Sequence, residues 1–142
     1  APSSLATPRR SAQGVDAGRL AFLLAVLERR VGLSTAGADV YALAVGGVRL
    51  TDPGADVGLA LAVVSSLTGN ALPDDLVAVG EVGLGGELRH VPHLERRLAE
   101  AVRLGFSRAV VPPGAPDPPA GLTTLRAPTV AAAVAVADLA PA

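Results

Sequence analysis

The chain has 142 residues, half of them hydrophobic, and is therefore long enough to bury a core as one domain. Its formal net charge is −1, and all 12 of its basic residues are arginine. The absence of lysine and cysteine excludes lysine bases, Schiff bases, P-loop lysines, cysteine nucleophiles and disulfides. Two histidines without cysteine disfavour a zinc site, and we expect no metal and no cofactor in this chain.

The first 14 residues are small and polar and contain two prolines and the pair Arg9–Arg10, which is typical of an arm or linker. We therefore expect an arm at 1–14 and a domain at 15–142. The chain lacks an initiator methionine, and we interpret it as a fragment of a longer protein. No apolar run is longer than Val130 to Ala137, which is far shorter than the roughly 20 residues that a membrane helix needs.

The first half of the chain alternates helical and strand patterns. Leucines at helical spacing predict a helix over 17–31, with Asp16 as its N-cap and Gly32 at its end. Val40 to Leu50 predicts a strand interrupted by two glycines, most simply a hairpin. Leu59 to Leu67 is apolar on nearly all sides and predicts a buried helix that ends at Gly69–Asn70.

The second half predicts a hairpin, two further strands and two helices. The predicted elements are a buried strand at 76–82, a glycine turn at 83–86 with a returning strand at 87–89, an amphipathic helix at 93–104, a strand at 108–111, a proline-rich loop at 112–119, a strand at 122–125 and a helix from Pro128 to about Leu139. This order predicts an α/β fold with a mixed sheet.

Four groups of residues invite a chemical interpretation. The glycines after the strand at 76–82 could cradle a phosphate, but no lysine and no helix follow them, which favours a hairpin turn. His90 and His93 are more simply polar residues at a loop–helix junction than metal ligands. No serine lies in a G-x-S-x-G elbow. Asp56 and Glu95 stand at or near the first turns of predicted helices, where capping is the simplest role.

Arginine doublets are the remaining signal. The pairs are Arg9–Arg10, Arg29–Arg30 and Arg96–Arg97. A planar guanidinium suits phosphate, although surface arginine pairs usually serve solvation and salt bridges. The residues alone therefore indicate an α/β domain without visible catalytic apparatus.

Several ordered blocks are similar to the RadA (Sms) family of bacterial DNA repair proteins. They are TPRR at 7–10, GVD at 14–16 with RLA at 19–21, LAVLERRVGL at 24–33, GEVGLGGELR at 80–89 and LGFSRAVVP at 104–112. The resemblance runs from about residue 7 to residue 139. It implies the C-terminal domain of that family, which resembles the proteolytic domain of Lon protease, with α/β layers like those of a ribosomal protein.

The Lon resemblance carries an expectation about catalysis. Lon peptidases use a Ser–Lys dyad, and the stretches that match its two motifs here are Ala55-Asp56-Val57-Gly58 and Pro92-His93-Leu94-Glu95. Asp56 therefore stands at the nucleophile position and Glu95 at the base position. Neither carboxylate can perform the role of the residue it replaces. The resemblance implies a pseudoprotease, and an active Lon-type serine peptidase is the first alternative.

The resemblance also implies partners. RadA-type proteins are hexameric, helicase-like ATPases of branch migration and recombination, with a zinc finger and an ATP- and Mg-binding core that have no motif in this chain. It implies a cytoplasmic protein whose domain supports a ring and contacts duplex DNA weakly, without sequence preference. Arg9, Arg10, Arg96 and Arg97 are the expected DNA contacts. A stand-alone interaction or oligomerisation module without a DNA role is the second alternative.

Overall fold

The structure is a computed structural model that describes residues 10–13, 17–33, 40–43 and 52–138, with side chains over 18–33 and 52–138. The backbone forms two compact units, residues 1–52 and residues 53–142. Within the described part, no helix is both long and apolar enough to cross a membrane.

The first unit contains the predicted leucine-rich helix. Helix α1 spans Ala17–Val26 and continues as a π-helical turn over Leu27–Val31, so the predicted helix is confirmed. Its apolar face is buried as the spacing requires, and the leucines of that face are Leu20, Leu23, Leu24 and Leu27. Gly32 adopts a left-handed conformation and ends the helix, as predicted. The predicted N-cap, Asp16, lies outside the described residues.

Two short strands complete the described part of this unit. Strand β1, Arg10–Gln13, pairs in parallel with β2, Val40–Leu43. β2 confirms the start of the predicted strand, whereas the rest of the predicted hairpin lies outside the described residues. β1 falls within the segment interpreted as an arm. The boundary at residue 14 stays a prediction.

The second unit is built on a parallel sheet. The order of its strands is β3 (Leu76–Ala78), β6 (Arg108–Val111) and β7 (Thr123–Arg126). The predicted strand at 108–111 is confirmed, and β7 begins one residue later than predicted. The proline-rich segment between β6 and β7 is a loop, as expected. Arg126 holds it by donating to the carbonyl oxygens of Pro113 and Ala115 at 2.8 and 2.6 Å.

The predicted continuous strand at 76–82 is wrong, because the chain leaves the parallel sheet at Gly80. β3 ends at Ala78, and Glu81–Val82 form β4 in a separate sheet. Gly80 has a positive φ of 155°, and a Cβ there would lie 3.1 Å from Val57 Cγ2. Only glycine tolerates both conditions. The apolar pattern is continuous across two strands that belong to different sheets.

The predicted glycine hairpin is confirmed. β4 pairs antiparallel with β5, Leu88–Arg89. The Gly83 N–H donates to the Glu87 carbonyl at 2.8 Å, and the Gly86 N–H donates to the Gly83 carbonyl at 2.9 Å. The glycine cluster therefore makes a turn.

Three helices pack in the second unit. α2 spans Asp56–Thr68 after a 3₁₀ turn at Pro53–Ala55, so it begins three residues before the predicted start and ends at Gly69 as predicted. α3 spans Leu94–Arg103, and α4 spans Val130–Val136. α4 starts after Thr129, not at Pro128, because the Thr129 hydroxyl accepts the Ala132 N–H at 3.1 Å and caps the helix.

The core of this unit is aliphatic. α3 buries Leu94, Leu98 and Ala101 against the strands, with Val102 partly buried beside them, as its period predicts. β6 is buried over Ala109 to Val111. Helix α3 and the parallel sheet therefore share an aliphatic core, and an antiparallel hairpin is added beside them, which confirms the predicted α/β class.

Candidate functional site

The start of α2 is joined to the β3–β4 connection by a set of long-range hydrogen bonds. The Val57 N–H donates to the Gly80 carbonyl at 3.2 Å, and the Gly80 N–H donates to the Gly54 carbonyl at 3.0 Å. The Val82 N–H donates to Asp56 Oδ2, also at 3.0 Å. We call these five residues the Asp56 junction. It places Asp56, the first residue of α2 and the expected nucleophile position, beside β4.

The Asp56 carboxylate is buried, with 3% of the residue exposed. The capping role predicted for it is wrong in detail, because Ala55 is the N-cap of α2 and makes no side-chain cap bond. Asp56 instead accepts the Val82 amide, 26 residues along the chain. A buried carboxylate needs such donors. The side chain thus connects the helix to the hairpin.

Glu95 has a different environment. It is exposed in the first turn of α3 and lines an open cavity of about 360 Å³. The cavity is also lined by His90, His93, Leu94, Gly114 and Pro116, and Asp56 is not among its lining residues. Of the two residues of the expected degenerate dyad, Glu95 therefore faces solvent, whereas Asp56 is buried and accepts a hydrogen bond from a backbone amide.

Both histidines lie at the loop–helix junction, as predicted. His90 and His93 are exposed, and His93 adopts a left-handed φ of 60° immediately before α3. Within the ranges that the structure describes, no three histidine or acidic side chains are grouped so that they could hold a metal ion.

Two serine hydroxyls of the described part are held in structural hydrogen bonds. Ser107 donates to Asp75 Oδ2 at 2.7 Å, and Ser65 donates to the Asn70 carbonyl at 2.6 Å. The partner of Ser65 is a backbone carbonyl, and the Asp75 carboxylate that accepts from Ser107 is also bound by Arg108, which lowers its pKa and makes it a weaker base.

The four expected DNA-contacting arginines have different outcomes. Arg9 lies outside the described residues, and Arg10 begins β1, where only its backbone is described. Arg96 is exposed on α3. Arg97 is half-buried, and its Nε donates to the Pro92 carbonyl at 3.0 Å, which ties it to the start of its own helix.

Asp75 and Arg108 form a bidentate ion pair. Arg108 donates through Nε and Nη2 to the two carboxylate oxygens at 2.8 and 2.7 Å, and Ser107 donates a third bond. The hydrogen bonds from Arg108, with that from Ser107, hold the pKa of the Asp75 carboxyl well below its ordinary value. The pair connects the residue before β3 to the first residue of β6.

Arg29 and Arg30 form the arginine doublet that was not among the expected DNA contacts. They lie in the last turn of the α1 helix and are both exposed. The doublet itself was the available signal. At the C-terminal end of a helix, both side chains also suit the negative end of the helix dipole.

Comparison with known proteins supplies the family. No family model matches the chain. DNA repair protein RadA of Mycolicibacterium smegmatis is 49% identical over 127 residues, which is 89% of this chain and 27% of that protein. RadA of Escherichia coli K12 is 54% identical over 110 residues, or 78% of this chain and 24% of that protein.

RadA of Salmonella typhimurium is 47% identical over 138 residues, or 96% of this chain and 30% of that protein. The chain therefore spans between about a quarter and three tenths of the length of these curated relatives. The expected resemblance is confirmed over nearly the whole chain. Identity of this degree over most of its residues means that the chain belongs to the RadA family of DNA repair proteins.

Proposed function

We propose that this chain is a non-catalytic, Lon-type module of a RadA-type DNA repair protein. In this proposal it is the C-terminal part of a cytoplasmic protein, helps to hold a hexameric ring together and contacts duplex DNA during branch migration. The similarity to RadA proteins supports the repair role. In this proposal the ATPase activity, with its ATP and Mg, and the zinc finger, with its Zn, belong to other regions of the full-length protein.

The buried carboxylate of Asp56 is the observation that carries the non-catalytic role. A peptidase nucleophile must reach the scissile carbonyl and needs a base within hydrogen-bond distance. Asp56 has 3% of its surface exposed and accepts a backbone amide. Glu95 is an exposed acid, and the chain contains no lysine to replace it.

The test is incubation with unfolded casein and with a serine-reactive fluorophosphonate probe, beside an active Lon-type peptidase as the positive control. We expect no cleavage and no covalent label on the chain. Labelling of a serine that disappears when that serine is replaced by alanine would establish the alternative, an active serine peptidase.

Self-association is proposed through apolar surface. Leu84 at the hairpin turn is 78% exposed and Leu104 after α3 is 60% exposed, both high values for leucine. A ring repeats one heterologous contact until it closes. Light scattering of the chain with and without duplex DNA tests this part. A strict monomer under both conditions would favour a module that does not itself form the ring.

DNA contact is proposed to be electrostatic and blind to sequence, since arginine binds the phosphate backbone and few aromatic residues are present for stacking. Binding should weaken as the salt concentration rises. Each phosphate contact should add about 0.9 to the magnitude of the slope of log affinity against log salt concentration. Binding that does not change with salt would contradict the backbone contact. The two inferred DNA contacts at Arg9 and Arg10 remain part of this proposal.

A further inference from the structure

The charges of the chain are divided unequally between its two units. Residues 1–52 contain six arginines and four acidic residues, a formal net charge of +2. Residues 53–142 contain six arginines and nine acidic residues, a net charge of −3. The overall charge of −1 therefore conceals a basic and an acidic segment. Phosphate is attracted by the first and repelled by the second.

The arginines of the acidic unit are mostly engaged. Arg108 is paired with Asp75, Arg103 with Glu100, and Arg89 with Glu87, while Arg126 and Arg97 donate to backbone carbonyls. Arg96 differs, because its side chain is exposed and makes no hydrogen bond or ion pair to the described residues. Recruiting the others to phosphate would first require breaking the contacts that hold them.

Arg29 and Arg30 lie in the basic unit and have no such contacts. Both are exposed, and neither side chain has a hydrogen bond or ion pair with a residue in the described ranges. The face of the helix that carries Leu20, Leu23 and Leu27 is buried, which fixes the orientation of the helix within its unit. The two guanidinium groups therefore stand on the solvent side of an anchored helix.

We propose that Arg29 and Arg30 contact the phosphates of duplex DNA, and that the Arg96–Arg97 doublet contributes less. The inference rests on the proposed DNA contact and deepens it by assigning that contact to the first unit. Two adjacent exposed guanidinium groups can each bind a phosphate in bidentate fashion without losing an existing ion pair. The favourable interaction of these guanidinium groups with the helix dipole does not compete with phosphate binding, because it leaves the groups exposed.

The test is binding of the 142-residue chain to a fluorescent duplex of mixed sequence over a range of salt concentrations. The variants are R29A/R30A, the charge-retaining R29K/R30K and the second doublet R96A/R97A. R103A is the matched control, since Arg103 is exposed but paired with Glu100. Circular dichroism melts verify folding, and R29Q/R30Q replaces the alanine variant if that variant is unfolded at the assay temperature.

We expect R29A/R30A to lower the salt slope by about 1.8. If the affinities converge at 1 M salt, this corresponds to about 60-fold weaker binding at 0.1 M. R29K/R30K should keep the wild-type slope, R96A/R97A should lower it by at most about 0.9, and R103A should leave it unchanged.

The possible failures separate the two proposals. Absence of wild-type binding at low salt would refute the DNA contact and this inference with it. Wild-type binding with an unchanged slope in R29A/R30A would refute the inference alone, as would a slope that falls more in R96A/R97A than in R29A/R30A. A slope that falls as far in R29K/R30K as in R29A/R30A would show that the doublet acts through something other than its charge.

Discussion

Replacement of Asp56 by alanine tests the structural role of the expected nucleophile position. The substitution removes the acceptor of the Val82 N–H, which lies 3.0 Å from Asp56 Oδ2. Both residues are buried, at 3% and 1% exposure, so water cannot replace the lost bond without opening the junction. Loss of a hydrogen bond to a charged acceptor costs about 1.5–3 kcal/mol.

The expected loss in the free energy of unfolding for Asp56→Ala is therefore about 2 kcal/mol, within that range. For a chain of this length, each kcal/mol lowers Tm by about 4 °C, so Tm should fall by about 8 °C. Asp56→Asn keeps a neutral acceptor oxygen and should lose about half as much. Urea denaturation measures the free energies, and hydrogen exchange at the Val82 amide should accelerate in the order wild type, Asn, Ala.

Glu95→Ala is the control, because Glu95 stands at the other expected dyad position but is exposed. Its effect should lie within about 0.5 kcal/mol of zero. If Asp56→Ala lowers the unfolding free energy as little as Glu95→Ala and the Val82 amide keeps its protection from hydrogen exchange, the hydrogen bond from Val82 to Asp56 does not stabilise the fold.

Two further predictions concern capping and pH. Thr129→Ala removes the acceptor of the Ala132 N–H and should cost about 1 kcal/mol in unfolding free energy. Thr129→Ser keeps the hydroxyl and should retain most of the stability that the cap provides. Equal Tm values for the two variants would contradict the cap. The pKa of Asp75 is lowered in the folded state by Arg108, so the pair stabilises the fold above the unfolded pKa of about 3.9, and this stabilisation is lost as the pH falls below it. The unfolding free energy of Asp75→Asn should therefore fall less than that of the wild type between neutral and acidic pH. Asp74→Asn, a change at the exposed neighbour, should not reduce this fall. Identical pH profiles of the unfolding free energy for Asp75→Asn and the wild type would exclude this contribution.

Local pattern was sufficient for most elements. The period of Leu94, Leu98 and Ala101 determines the buried face of α3, because side chains three and four apart lie on one side of any helix. Gly69 ends α2 in the left-handed conformation that glycine allows at low energy. The glycines after β4 likewise led to the correct prediction of a hairpin. These features depend on residues that are close in sequence.

Tertiary structure decided the features that depend on residues far apart. The apolar run at 76–82 reads as one strand, and its division at Gly80 arises from bonds to Gly54 and Val57 at the start of α2. The burial of Asp56 follows from the same contact, because its acceptor role depends on where the Val82 amide lies. The resemblance to Lon indicated Asp56 as the expected nucleophile position, where a carboxylate cannot replace a serine, whereas the packing of α2 against β4 made it a buried acceptor. Hydrogen bonds between distant segments follow from three-dimensional packing and leave no periodic trace in the chain.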